Sequence, residues 1–361
     1  MSAQFDRVNS LRKIIENNKQ ALLITNEIDV YYFSGFQKSE GAFLVTSDAA
    51  YLLVDFRYTE AAKKHSLGCE VVEYTSLTVK LKELFDFHGI DTVLIQPSAV
   101  KLSTYHLFIK EFNSKGISVV SDDRLDKAVQ NLRIIKSDDE VLCIEKAQKI
   151  TEKAFYEVLN YVKPGVSERT VAVELEYLMK KYGAQDISFD LITITGKKTS
   201  LPHGVPSDDI ISEGDFFTMD IGAVYNGYHS DMTRTVAVKS CSDEKRDIYD
   251  IVLKAQTTAL EAVKAGVNST LVDKTARDII TEAGYGKCFG HSTGHGVGLD
   301  IHELPAVSTK SGRILDEGMV ITVEPGIYLE GKFGVRIEDM VLVTKNGYKN
   351  FATISKDLII V

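Results

Sequence analysis

Cysteine is scarce: four in 361 residues, Cys69, Cys143, Cys241 and Cys288, far apart and without paired spacing. Such a set frames neither a disulfide scaffold nor a cysteine zinc site, and a reducing cytoplasm is the expected home. Long apolar runs are missing too; none approaches the ~20 residues that a membrane span needs, so no membrane partner is expected. The opening MSAQFDRVNSLRKIIENNK reads as an amphipathic helix and lacks the apolar centre of a signal peptide. Basic stripes are absent and the net charge is −9, which argues against nucleic acid as a main partner. No glycine-rich phosphate loop occurs in the first 128 residues, so that part of the chain offers no chemistry of its own.

What is present is a soluble globular composition, 44% hydrophobic and 26% charged, on a chain long enough for two domains. Residues 1–128 alternate strand-like runs, ALLIT (21–25), YLLVDF (51–56), CEVVEY (69–74) and DTVLIQ (91–96), with helical patterns such as SLTVKLKELFDFHG. An α/β domain of five or six strands is predicted there, with a structural or specificity-shaping role. A different pattern opens near residue 129. Ser137 and Glu140 form a capping box, and Val141, Ile144, Ala147, Thr151, Ala154, Val158 and Val162 follow at helical spacing.

The second domain, 129–361, contains itself twice. KPGVSERTVAVELEYLMKKYG (163–183) aligns with KAGVNSTLVDKTARDIITEAG (264–284) at an offset of 101, and EGDFFTMDIG (213–222) aligns with EGMVITVEPG (317–326) at 104. Each unit reads as helix, helix, then a strand carrying one acid, Asp220 in the first and Glu324 in the second. The fold class predicted is α+β with an internal pseudo-two-fold repeat.

In FFTMDIG, Phe216, Thr218 and Asp220 share one face of a strand. Asn226-Gly227 is a hairpin signal that returns Asp231 toward Asp220. In the second copy GVRIEDMVLV returns with Glu338 and Asp339, which strand parity alone does not separate. Each half thus brings an acid pair to the centre. Clustered carboxylates repel and are forced to protonate unless cations neutralise them. Arg234 and Arg336 are the available protein cations, too few for four acids, whereas a pair of divalent metals suffices.

The stretch FGHSTGHGVGLDIHELP (289–305) holds three of the eight histidines. GHSTG has the letters of a nucleophile elbow, but no apolar strand leads into Ser292, and the later histidines, His295 and His302, lie only three and ten residues away. HELP begins like a zinc helix, but position 306 is Ala306 and Pro305 breaks the helix. A better reading makes His295 a metal ligand, its flanking Gly294 and Gly296 letting the backbone come close. Four carboxylates and one imidazole favour Mn²⁺, with Co²⁺, Fe²⁺ or Zn²⁺ as the other candidates. Two such ions share and acidify a water, so metal-assisted hydrolysis is the reaction class implied.

The ordered set LPHG, MDIGAVYNGYHSDMTRT, GHSTGHGVGLDIHELP, VEPGIY and GVRIED resembles the pita-bread (creatinase/aminopeptidase-like) metallopeptidases, and most of all their proline-specific branch, the Xaa-Pro dipeptidases (prolidases) and Xaa-Pro aminopeptidases. VYYFSGF and LLVDFRY extend the likeness to a creatinase N-terminal-like accessory domain over 1–128. The resemblance implies two divalent ions held by Asp220, Asp231, His295, Glu324 and Glu338, with Asp231 and Glu338 bridging; Glu338 is thereby preferred to Asp339. It further implies that Glu324 moves the proton, that His302 hydrogen-bonds the substrate carbonyl, that His291 and His203 line the proline side, and that Arg336 orients Asp220. The substrates it implies are Xaa-Pro dipeptides or short peptides with proline second, and the assembly a homodimer. Tyr228 and His229 read as hairpin packing, and His65, His88 and His106 as surface residues. Two other readings of the same fold are a methionine-aminopeptidase-like activity, against which the large N-terminal domain speaks, and a metal-free creatinase-like binding protein, which the full ligand set disfavours.

Overall fold

The computed structural model describes residues 3–37 and 40–361, so Met1 and Ser2 of the opening segment lie outside the described residues. The chain forms two compact units, Met1–Arg133 and Ile134–Val361. Residue 128 falls inside the helix Arg124–Arg133, so the first unit runs to that helix's end, five residues past the expected boundary. No helix among the described residues is long and apolar enough to cross a membrane.

In the first unit, strands β1 (Gln20–Ile24), β2 (Ala42–Val45), β3 (Ala50–Val54), β4 (Glu70–Glu73), β5 (Thr92–Ile95) and β6 (Ser118–Val120) form one sheet in the order β4-β3-β2-β1-β5-β6. β1, β2 and β3 are buried on both faces, which is why their sequences are apolar without alternation. Helices α1 (Ala3–Arg12), α2 (Glu27–Ser34), α3 (Phe56–His65), α4 (Leu77–His88), α5 (Leu102–Asn113) and α6 (Arg124–Arg133) connect and flank the strands. His88 departs from expectation: its Nε2 lies 2.8 Å from the Tyr51 hydroxyl and its side chain is 9% exposed, so it packs rather than facing solvent.

In the second unit the repeat is visible in three dimensions. α7 (Asp138–Val158) and α8 (Glu168–Lys181) precede β7 (Asp186–Ile187), β8 (Ile192–Thr195), β9 (Phe216–Ile221), β10 (Ala223–Tyr225), β11 (Tyr228–His229) and β12 (Met232–Ala237). α9 (Asp243–Glu261) and α10 (Ser269–Glu282) precede β13 (Gly294–Gly296), β14 (Glu303–Val307), β15 (Val320–Val323), β16 (Gly326–Leu329), β17 (Phe333–Arg336), β18 (Asp339–Thr344) and β19 (Gly347–Asn350). The N-caps Ser167 and Asn268 each form an isolated bridge, to Ile210 and Ile314, at corresponding places in the two halves. Each half also has its own core: Phe155, Leu175, Met219 and Val236 cluster in one, and Tyr249, Val272, Ile321 and Val341 in the other.

The halves are joined by Arg234, fully buried on β12. Its Nη2 lies 2.7 Å from Asp339 Oδ1, and its Nη1 donates to the Glu338 carbonyl. Lys356, Asn350 and Gln256 also reach the Asp339 carboxylate, at 3.0, 2.8 and 3.4 Å. Burial pushes the Asp339 carboxyl up, but Arg234 and Lys356 outweigh it and hold it below its usual range. Removing one partner of a buried pair leaves a charge short of compensation. Arg234→Met is therefore expected to cost roughly 3–5 kcal/mol, read as a lower denaturant midpoint with an unchanged slope.

Candidate active site

β9 and β12 pair antiparallel with Asp220 opposite Thr233, and β15 pairs with β18 with Val323 opposite Asp339. On β9 the alternation puts Phe217, Met219 and Ile221 into the core and leaves Asp220 on the other face. Asn226 and Gly227 both take positive φ, 48° and 78°, as a two-residue hairpin turn between β10 and β11 requires. Asp231 and Glu338 occupy matching places, each immediately before the return strand of its half. The pairing of Asp339 with Arg234 turns that side chain away and leaves Glu338 for the centre.

The side chains of Asp231, His295 and Glu338 meet, with one potential ligand atom from each lying within 4.8 Å of the others. Glu324 joins them: the His295 Nε2 is 3.5 Å from both Asp231 Oδ2 and Glu324 Oε1. Asp220 completes the group beside Arg336, whose Nη2 lies 2.6 Å from Asp220 Oδ2. The other oxygen, Asp220 Oδ1, is buried with no hydrogen-bond partner in the protein. An orphaned carboxylate oxygen facing such a cluster is a donor atom with a bond to give, and the oxygen-rich donor set with one imidazole fits hard divalent cations.

Electrostatics point the same way. Burial, then Asp220 and Glu324, raise the Asp231 carboxyl well above its usual range; burial, then Asp231 and Glu324, do the same to Glu338. Burial pushes Glu324 up to about 8, even with Arg336 opposing it. His295 is lowered to about 4, chiefly by burial. Its Nδ1 lies 3.0 Å from the Gly296 carbonyl, which can only accept. The proton therefore sits on Nδ1 and the Nε2 lone pair faces the acids, the tautomer a metal ligand needs.

Neighbouring groups fix these side chains. Arg336 Nε donates to Thr233 Oγ1 (3.1 Å), and the Thr233 hydroxyl donates to Glu338 Oε2 (2.7 Å). Thr322 Oγ1 donates to Glu324 Oε1 (3.2 Å) and accepts from the His295 backbone (3.1 Å). His291 Nδ1 donates to the Ser292 carbonyl (2.8 Å), so its Nε2 accepts from the Tyr328 hydroxyl (2.9 Å), which itself accepts from Arg336 Nη1 (2.9 Å). Burial lowers His291 to about 4 and pushes Tyr328 up to about 12.

A cavity of about 710 Å³ opens over the acids, and His203, His291, His295 and His302 all line it. The His295 and His302 rings are 4.4 Å apart, edge to face. The segment bearing His302 is braced by Glu303, which accepts from the Asp300 backbone (3.0 Å) and pairs with Lys136 at 3.1 Å, both side chains almost fully buried. All nine residues singled out in the sequence thus line one cavity. Thr233, Thr322, Tyr328 and the Lys136–Glu303 pair were not singled out. Thr322 had a signal, since it recurs with Thr218 in the repeat; Tyr328 stands inside VEPGIY; Thr233 and Lys136 had none. The glycines beside His295 do something other than expected. A Cβ on Gly294 would lie 2.0 Å from the Thr322 carbonyl oxygen, and one on Gly296 2.3 Å from that of Leu304. They admit the neighbouring strands, and the ring of His295 alone reaches the acids.

Residues 142–345 match Metallopeptidase family M24, and residues 7–135 match the Creatinase/Prolidase N-terminal domain. A Xaa-Pro dipeptidase from Pyrococcus horikoshii is 40% identical, over 97% of this chain and 98% of its own. Among solved structures, a Xaa-Pro dipeptidase from Bacillus anthracis superposes with a TM-score of 0.94 at 39% identity, covering 99% of this chain and 100% of that one. An X-Pro aminopeptidase from Thermotoga maritima does so with a TM-score of 0.91 at 38% identity, covering 98% and 100%. The architecture is the pita-bread fold with a creatinase-type N-terminal domain, as the motifs implied. With its acids, imidazole and cavity in one unit, this chain belongs to metallopeptidase family M24 and is a metal-dependent hydrolase.

Proposed function

We propose that the chain hydrolyses the bond between an N-terminal residue and proline, in dipeptides or short peptides, using two divalent ions held by Asp220, Asp231, His295, Glu324 and Glu338. The observation that carries this reading is the convergence of four carboxyls and one correctly protonated imidazole on a cavity walled by three further histidines. The names of its relatives, Xaa-Pro dipeptidase and X-Pro aminopeptidase, support the choice of bond. When bound, the ions supply an acidified water and a charge clamp for the developing tetrahedral oxygens. Mn²⁺ is the proposed metal, and a cytoplasmic homodimer the proposed setting.

The remaining work falls to side chains. Glu324 takes a proton and returns it to the leaving nitrogen. His302, exposed on the cavity wall, donates to the substrate carbonyl oxygen as charge grows on it. His291, held neutral, and His203 line the side that receives proline. Arg336 orients Asp220 through their 2.6 Å ion pair. Proline suits such a site because its nitrogen has no N–H to offer; the ring must be recognised by shape.

The test is hydrolysis by the Mn²⁺-loaded protein of Xaa-Pro, Xaa-Pro-Xaa and Xaa-Ala substrates. Cleavage of the first or second at least about tenfold faster than the third, in kcat/KM, is expected. Hydrolysis of Met-Ala with Met-Pro left intact would instead make the protein a methionine-aminopeptidase-like enzyme.

A further inference from the structure

Residues 202–206, His203 among them, line the cavity from a segment with no regular structure beyond the 3₁₀ turn Gly196–Ser200. A carboxylate holds both its ends. Glu168, the first residue of α8, is fully buried. Its Oε1 accepts from the backbone N–H of Thr195 at 2.8 Å. Its Oε2 accepts from the backbone N–H of Ser207 (2.9 Å), the Ser207 hydroxyl (3.0 Å) and Lys198 Nζ (2.6 Å). One oxygen fixes the entry to the segment and the other its exit. The first turn of α8 adds to the exit, Glu168 N–H donating to the Asp209 carbonyl (3.0 Å) and Arg169 N–H to that of Ser207 (2.9 Å).

The helix has no need of this carboxylate. Its start is already capped by Ser167, whose hydroxyl oxygen accepts from Thr170 N–H at 3.2 Å. An acid placed only to answer a helix dipole stays in water, because burying it is costly unless donors surround it. Glu168 is buried and surrounded, and its four donors all belong to residues 195–207. The metal-ligand candidates lie elsewhere, on or beside β9, β12, β13, β15 and β18.

We propose that Glu168 is a positioning residue: by clamping Thr195 and Ser207 it sets the shape of the wall that receives the second residue of the peptide. This rests on the reading of that wall as the proline subsite. Glutamine at position 168 keeps one acceptor oxygen but turns an amide N–H₂ toward the donors at the other end. Loosening the wall weakens ring recognition and leaves the ligand cluster in place.

The experiment compares wild type, Glu168→Gln, Ser207→Ala and the double variant Glu168→Gln/Lys198→Met, all loaded with Mn²⁺. The substrates are Xaa-Pro and Xaa-N-methylalanine, both tertiary amides, only one with a ring. Glu168→Gln should raise KM for Xaa-Pro about tenfold with kcat within about twofold, and narrow the preference for the ring by a similar factor. Ser207→Ala should shift KM in the same direction by about threefold. Mn²⁺ stoichiometry should not change. The double variant removes the lysine that has lost its carboxylate partner and keeps only Ser207 Oγ (2.8 Å) and Asp209 Oδ2 (3.4 Å), so it should regain thermal stability while KM stays raised. Recovery of KM together with stability, or a loss of stability with KM and ring preference untouched, would reduce Glu168 to a structural residue. If the wild type leaves Xaa-Pro intact, the function falls; if it is active and the variants keep its KM, only the role of Glu168 falls.

Discussion

Asp231→Asn is expected to abolish at least one metal site and nearly all turnover while making the metal-free protein more stable. The two effects have one cause. Asp231 is buried beside Asp220 and Glu324, which is why its carboxyl is raised so far. With cations present that crowding is useful, and losing a ligand forfeits several kcal/mol of charge stabilisation, roughly 10³-fold or more in rate. Without cations the crowding is pure cost, and asparagine, nearly the same shape, removes it. Metal content after exhaustive dialysis, kcat/KM on an Xaa-Pro substrate, and the thermal midpoint in chelator at pH 8 read the three quantities. A variant that kept full metal and turnover would show that Asp231 holds nothing.

The stability of the metal-free protein should fall as pH rises from about 6.5 to 8, the reverse of the trend in excess Mn²⁺. Asp231, Glu324 and Glu338 have folded pKa values above their unfolded ones. For such groups the folded state binds more protons, so stability is full below the unfolded value and is lost as pH climbs through the folded one. His291 and His295, lowered to about 4, act oppositely: their contribution falls only as pH drops from the unfolded imidazole value near 6.5 toward 4. Above pH 6.5 the histidines are silent and the acids remain. Glu324 alone, raised to about 8, then accounts for about 2 kcal/mol. Metal competes with those protons, so its binding strengthens as pH rises, and free ion at 100 times its Kd adds about 2.7 kcal/mol. Denaturant unfolding at pH 6.5 and 8, in chelator and in Mn²⁺, gives both slopes. A chelated protein that gained stability over this interval would mean that the acids are not crowded.

Much of the site was legible because its residues are of types that sequence patterns mark. Asp220 interrupts an apolar strand, Glu324 stands at the same place in the repeat, and His295 lies among glycines. The choice between Glu338 and Asp339 was not legible from alternation, because it depends on Arg234 coming across from the other half. Glu168 was hidden for a different reason. In a helix's first turn a glutamate looks like a dipole partner in solvent, and only the packing of residues 195–207 over it reveals its burial. Thr233 and Thr322 look like ordinary strand formers, since a hydroxyl's hydrogen-bond partner is a fact of tertiary structure. In the first unit the strands Ala42–Val45 and Ser118–Val120 were not named in advance; at four and three residues they are too short for periodicity to register. The boundary moved because α6 continues the helical pattern past residue 128.

The matched N-cap bridges, Ser167 with Ile210 and Asn268 with Ile314, carry a historical consequence. A forerunner with a single copy of this unit would bring one acid pair to its edge and gain a working centre only by self-association about a two-fold axis. Two copies within one chain can each change alone. Arg336 pairs with Asp220 at 2.6 Å, while the matching position in the other copy is His229, a half-buried residue of the hairpin strand β11. The repeat brings the acids together, and its departures from symmetry let one half serve the other.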